Sequence, residues 1–321
     1  MSTLCNLLGI RHPVLGAPMA GISGGRLAAA VSRAGGLGFI GGGYGDHDWL
    51  VEQLALCEGQ PVGVGFISWT LARQPELLDL ALRARPRAVL LSFGDPGDLN
   101  MLGARVRDAG IPLIAQVQTV AQAVAAARAG ADIVVAQGGE AGGHGGFRGT
   151  MALVPAVVDA VAPLAVVAAG GIADGRGLAA ALMLGAAGTL CGTAFYACDE
   201  SLAHDDAKRR LVLAGGDDTV KGPIFDWLRG LDWPDGPWSL RTLRNATTDR
   251  WAGDLAGLRA SLPVQRQAFE QARRHADFDT APVIAGEAAD LVRERRPAGA
   301  VVVDLIQQAA RCLGQHPSTV L

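Results

Sequence analysis

Short, mainly apolar runs recur along the chain at 14–17, 37–40, 62–66, 88–92, 113–117, 133–136, 165–168 and 189–191. Their starts lie 20 to 32 residues apart. Several follow an Ala-rich stretch that closes on glycine: Ala34-Gly35-Gly36, Ala109-Gly110, Ala129-Gly130 and Leu184-Gly185. Glycine suits the left-handed position that ends a helix. Ser23, Thr119 and Asp174 stand where a side chain can accept the orphan N–H groups at a helix start. The repeated phrase is therefore helix, glycine stop, strand. A strand that is apolar at successive positions is buried on both faces, as in a parallel sheet covered by helices. Eight such units predict an α/β chain folded as a (β/α)8 TIM barrel, with its site at the C-terminal ends of the strands. The alternative is an open, doubly wound sheet. Gly41-Gly42-Gly43-Tyr44-Gly45 is glycine-rich in a suitable place for that fold, but it lacks the G-x-G-x-x-G spacing and its acidic partner.

After Phe195 the pattern changes. Trp227, Trp233, Trp238 and Trp251 appear, with prolines and arginines between them. The expected organisation is a barrel core over 1–195, a helical or irregular insertion over 196–285 covering the mouth, and C-terminal helices over 286–321 packing back on the barrel. The stretch 177–198 carries no charged residue, but Gly185, Gly188 and Gly192 interrupt it. It reads as a buried helix end and a buried strand rather than a membrane span.

Half of the 321 residues are apolar, so a large core is available. A net charge of −3 without long charge runs argues against nucleic acid or a membrane surface as partner. Five scattered cysteines form no C-x-x-C pair and no zinc spacing, which suggests reduced thiols and a cytoplasmic setting. Met1 to Arg11 lacks a basic segment followed by a long apolar one, so no signal peptide is expected.

The candidate chemistry concentrates after the sixth run, in Gly138-Gly139-Glu140-Ala141-Gly142-Gly143-His144-Gly145-Gly146. Six of these nine residues are glycine, so bare backbone can approach a bulky ligand. His144 can exchange a proton with that ligand near neutral pH, whereas Glu140 reads as a partner that holds the loop. No second histidine or carboxylate falls at helical spacing on a helix with His144, so no metal site is expected. Gly170-Gly171 follows the seventh run and Gly192-Thr193 the eighth, where barrels commonly cradle a phosphate. Ala17-Pro18-Met19 offers small apolar backbone at the first strand end, and Gln116 and Gln137 are polar residues closing apolar strands.

These residues resemble a known family. Pro13-Val14-Leu15-Gly16-Ala17-Pro18-Met19-Ala20, followed by Ala34-Gly35-Gly36-Leu37-Gly38, is similar to the opening of the nitronate monooxygenases, once called 2-nitropropane dioxygenases. Residues 137–145 resemble that family's histidine motif, and residues 169–175 and 184–195 its phosphate region. Trp233-Pro234 and Arg244-Asn245 extend the similarity into the later part of the chain. The resemblance implies a barrel enzyme that holds FMN noncovalently and oxidises alkyl nitronates with molecular oxygen, releasing nitrite. It implies that Ala17, Pro18 and Met19 line the flavin ring, and that Gln116, Gln137, Gly142 and Gly143 contact it. Ala169, Gly170, Gly171, Gly192 and Thr193 would hold the phosphate. His144 would be the catalytic acid/base or orienting group near the flavin N5 edge. Some members carry lysine where this chain has Gln116. Two other readings accompany this one: a flavin-dependent enoyl-acyl-carrier-protein reductase using NAD(P)H, and a non-catalytic barrel binding FMN or another phosphate-bearing ligand. The expected partners are a small acid such as a nitronate and O2, and the oligomeric state stays open, a homodimer among the options.

Overall fold

The computed structural model describes residues 3–234 and 238–314. Residues 315–321, the end of the third expected segment, lie outside the described residues, as do 235–237. Strands β1 (Val14–Gly16), β2 (Leu37–Gly41), β3 (Gly63–Ile67), β4 (Val89–Ser92), β5 (Leu113–Val117), β6 (Ile133–Gln137), β8 (Ala165–Ala169) and β9 (Gly188–Cys191) form one closed parallel barrel. The ring shuts where Val14 to Gly16 pair with Thr189 to Cys191. The missing number belongs to β7 (Gly143–Gly145), which leaves the barrel and joins β10 (Thr219–Gly222) and β11 (Ser239–Leu243) in a small antiparallel sheet. The fold is thus the expected (β/α)8 barrel, and the open-sheet alternative is excluded.

Strand alternation divides the core in two. Leu15, Leu37, Phe39, Leu90, Ile114, Ile133, Val135, Val167 and Leu190 point into the barrel, where the helix Thr3–Leu8 adds Leu4 and Leu8. The intervening residues, such as Val14, Ile40, Val64, Val89, Leu91, Val134 and Val166, pack outward against the helices. A β side chain changes face at each residue, so parity assigns every residue its layer. Two inward glycines admit bulk from neighbouring residues. A Cβ on Gly63 would lie 2.2 Å from the Phe39 ring, and one on Gly65 would lie 2.4 Å from Pro18.

The helices begin largely where the sequence predicts. Thr119 forms a capping box with Gln122, and Asp174 accepts from the N–H groups of Arg176 and Gly177. Ser23 differs: the helix starts at Gly25, and the Ser23 hydroxyl instead accepts from Met19 N–H at 2.6 Å. That bond fixes the loop after β1 at the barrel mouth. The helix Ala298–Leu313 packs on Gly175–Met183, where Gly175 N–H donates to Gln308 Oε1 at 3.1 Å. Among the described residues no helix is long and apolar enough to cross a membrane.

Candidate active site

Continuing each inward parity by one step gives the uppermost layer of the barrel: Ala17, Ile67, Ser92, Gln116, Gln137, Ala169 and Gly192. All seven line one cleft at the strands' C-terminal ends, with about 1220 Å³ of open space, part of it continuous with solvent. Pro18, Met19, Gly142, Gly143, His144, Gly170, Gly171 and Thr193 line the same cleft. Every site residue expected from sequence is therefore brought to one mouth.

The histidine is held more firmly than a glycine loop suggests. His144 lies in β7, paired with Leu240 of β11, because the later chain supplies an edge for Gly-His-Gly to join. Arg241 strengthens the join by donating to the Gly139 carbonyl at 3.0 Å while pairing with Glu287 at 2.8 Å. Gln137 is buried; its amide donates to the His144 carbonyl at 3.0 Å and accepts from Gln118 at 2.8 Å. Gln118 in turn accepts from the Trp238 indole at 2.9 Å. This relay immobilises the histidine backbone from the barrel side. Gln118 was not expected from sequence, although it shares the parity of Gln116.

The His144 imidazole is almost sealed, with 5% of its side chain exposed. Nε2 lies 2.9 and 3.0 Å from the two carboxylate oxygens of Asp226, itself 8% exposed. Trp233 stacks on the ring, and Phe93 meets it edge-on at 6.2 Å. Phe93 has a positive φ of 58°, an uncommon conformation for a non-glycine residue, which sets its ring among His144, Trp233 and Trp238. Burial lowers the His144 pKa from its ordinary 6.5; Asp226 opposes that effect, and the charges of Arg229 and Lys221 add to it. The imidazole is thus biased toward its neutral, proton-accepting form.

The cleft lining also includes glycine-rich backbone. Gly170 and Gly171 have φ of 98° and 71°, and a Cβ on Gly170 would lie 2.8 Å from the Gly138 carbonyl oxygen. A Cβ on Gly192 would meet nothing nearer than Ala17 and Met19 at 3.6 Å. Thr193 Oγ1 accepts from Gly286 N–H at 2.9 Å, so its own proton is available to donate. Glu140 accepts from the N–H and the hydroxyl of Thr150, a loop-holding role in keeping with the sequence reading. Bare backbone, the apolar Ala17-Pro18-Met19 and an imidazole within one cleft suit a flat ring with an anionic tail. Arg229, whose guanidinium lies 5.1 Å over the Tyr44 ring, adds a positive charge to the lining.

Known proteins agree with this architecture. The family model described as nitronate monooxygenase matches residues 1–67 and 69–308. The nitronate monooxygenase npaC of Metarhizium robertsii is 36% identical over 94% of this chain and 91% of its own length. Among solved structures, FabK from Thermotoga maritima superposes with a TM-score of 0.82 at 31% identity, covering 98% of this chain and 97% of that one. Nitroalkane oxidase from Streptomyces ansochromogenes gives a TM-score of 0.80 at 29% identity, covering 97% of this chain and 99% of that one. The chain belongs to the nitronate monooxygenase family and is a flavin-dependent oxidoreductase.

Proposed function

We propose that the protein holds FMN in this cleft and oxidises small alkyl nitronates, with O2 as the final electron acceptor and nitrite released. The observation that carries the reading is the juxtaposition of a buried, neutral-biased His144 with a glycine-lined anion cradle at a single barrel mouth. Gly170, Gly171, Gly192 and Thr193 would receive the phosphate, and Ala17, Pro18 and Met19 would underlie the ring. Gly142 and Gly143 would come close to the ring, with Gln116 and Gln137 at its polar edge. When bound, the flavin supplies the redox chemistry, accepting electrons from the nitronate and passing them to oxygen.

The chain's own residues bind, orient and shield. His144 takes or holds the proton that relates a nitroalkane to its nitronate. Arg229 offers a charge-assisted contact to the anionic substrate. Trp233, Phe93 and Tyr44 form an aromatic wall that keeps water from the reacting carbon. The test is direct: purified protein should absorb as a flavoprotein with extractable FMN, and anaerobic propionate 3-nitronate should bleach it. A colourless protein that takes up no FMN, or a yellow one bleached by no nitronate, would overturn the proposal.

The close superposition on FabK supports a second reading, an NAD(P)H-using flavin-dependent enoyl-acyl-carrier-protein reductase. Rapid anaerobic reduction by NADH or NADPH, with no response to nitronates, would select it.

A further inference from the structure

Asp226 stands 82 residues beyond His144 in the chain, on the six-residue helix Ile224–Arg229. That helix is anchored by a small core of its own, in which Ile224, Phe225 and Leu228 pack with Leu240, Trp251, Leu258 and Phe269. Asp226 is thus delivered to the imidazole by the segment that follows the barrel, and its carboxylate reaches one ring nitrogen only. A carboxylate oxygen accepts hydrogen bonds, so Nε2 must carry a proton. In a neutral imidazole the lone pair then belongs to Nδ1. Nδ1 makes no hydrogen bond to any described residue. Nor is it shut away: the buried side-chain polar atoms without a partner among the described residues are Trp69 Nε1 and Arg241 Nε. His144 lines the cleft, so Nδ1 is the nitrogen left for the ligand.

We propose that Asp226 is a positioning residue that fixes His144 as the Nε2–H tautomer and so makes Nδ1 the nitrogen that exchanges a proton with the substrate. The role rests on the nitronate reading above only in the identity of the substrate; the tautomer belongs to the protein. Three charged groups from two elements act on this ring: Asp226 and Arg229 from the helix Ile224–Arg229, and Lys221 from β10. Arg229 and Lys221 disfavour the imidazolium, and Asp226 favours it. Removing the Asp226 charge therefore has a definite sign. The imidazole should gain its proton only at lower pH, and the acidic limb of the kcat/KM profile should move down.

The experiment uses flavin-loaded full-length protein labelled with 15N-histidine. The signal of His144 among the six histidines is assigned by its loss in His144→Gln. Without substrate, wild type should show a bare Nδ1 and a protonated Nε2 at neutral pH. Asp226→Asn should show mixed tautomers and a lower titration midpoint, because an amide offers the ring either a donor or an acceptor. With a neutral nitroalkane, which must lose a proton to become the nitronate, Asp226→Asn should retain flavin and lose kcat by about 10- to 100-fold with little change in KM, and Asp226→Glu should recover part of the loss. A protonated Nδ1 in wild type, or an Asp226→Asn enzyme with unchanged titration and kcat, would overturn the proposal. Should Asp226→Asn fail to fold, the wild-type tautomer still decides. If wild type fails to bleach with nitronates, the substrate assignment falls while the spectra still test the positioning.

Discussion

Trp233 lies face-on over the imidazole of His144, with ring centroids 3.4 Å apart and planes inclined by 15°. The indole is itself held, donating to the Tyr44 hydroxyl at 3.3 Å and packing edge-on against Phe93 and Trp238. One face of the proton-active ring is therefore covered by a rigid aromatic plate. An aromatic pair is worth about 0.5–1.5 kcal/mol beyond area burial. Trp233→Leu should lower kcat by about 3- to 10-fold, since about 1.4 kcal/mol corresponds to a factor of ten. Trp233→Phe should fall between the two. Steady-state kinetics on flavin-saturated enzyme checks this, and a Trp233→Leu enzyme at full rate would show the stack to be incidental.

The two ends of the proposed phosphate cradle should respond differently to one added methyl group. Gly170 combines a positive φ with a Cβ position 2.8 Å from backbone oxygen, so Gly170→Ala strains the fold itself. A loss of about 1–3 kcal/mol in stability is expected. Gly192 has ordinary φ and space around its Cβ. Gly192→Ala should leave the melting temperature unchanged and weaken FMN if, as proposed, the methyl enters room used by the phosphate. Paired thermal melts and flavin titrations separate the outcomes; unchanged FMN affinity in Gly192→Ala would move the phosphate elsewhere.

Acid should weaken the fold through His144. Its pKa is held below 6.5 in the native state, chiefly by burial, whereas the unfolded chain binds the proton at about pH 6.5. Between those values the unfolded state carries more protons, so stability rises with pH. The contribution is present above the unfolded pKa and is lost as pH falls toward the native value. Urea denaturation of the apoprotein at pH 7.5 and 5.5 should show a larger drop for wild type than for His144→Gln. Equal drops would mean that the imidazole titrates normally in the fold.

Arg229 sits half-buried at the cleft with its guanidinium over Tyr44. Arg229→Gln should raise KM for an anionic nitronate by about tenfold, the scale of one charge-assisted hydrogen bond moderated by solvent. The wild-type KM should climb with ionic strength and that of the variant should not. Identical salt dependence in both proteins would remove Arg229 from substrate recognition.

The barrel was legible because its strands are buried on both faces, and the apolar runs come within a residue or two of the observed ends. The last inward layer was legible for a related reason: glycines and the two strand-closing glutamines interrupt an otherwise apolar pattern. What escaped the sequence lies in the segment after Phe195. Pro223-Ile-Phe-Asp-Trp-Leu-Arg229 carries no motif that distinguishes Asp226 from a solvated helical acid; only its burial beside His144 does. Likewise, Gly-His-Gly has no strand propensity, and β7 exists because β11 provides a partner. β10 is half-buried throughout, too polar for the runs that marked the barrel, so the expected helical or irregular insertion contains a hairpin as well.

The division of labour between ring and covering sheet has a temporal side. All eight barrel staves are encoded before residue 192, whereas the strand, carboxylate and indole that dress the imidazole come from residues 219–243. During synthesis the staves can pair while the dressing is still untranslated. The imidazole therefore gains its carboxylate and aromatic cover only after the ring can close, and on the function proposed above the proton-transfer site is the last part of the molecule to be completed.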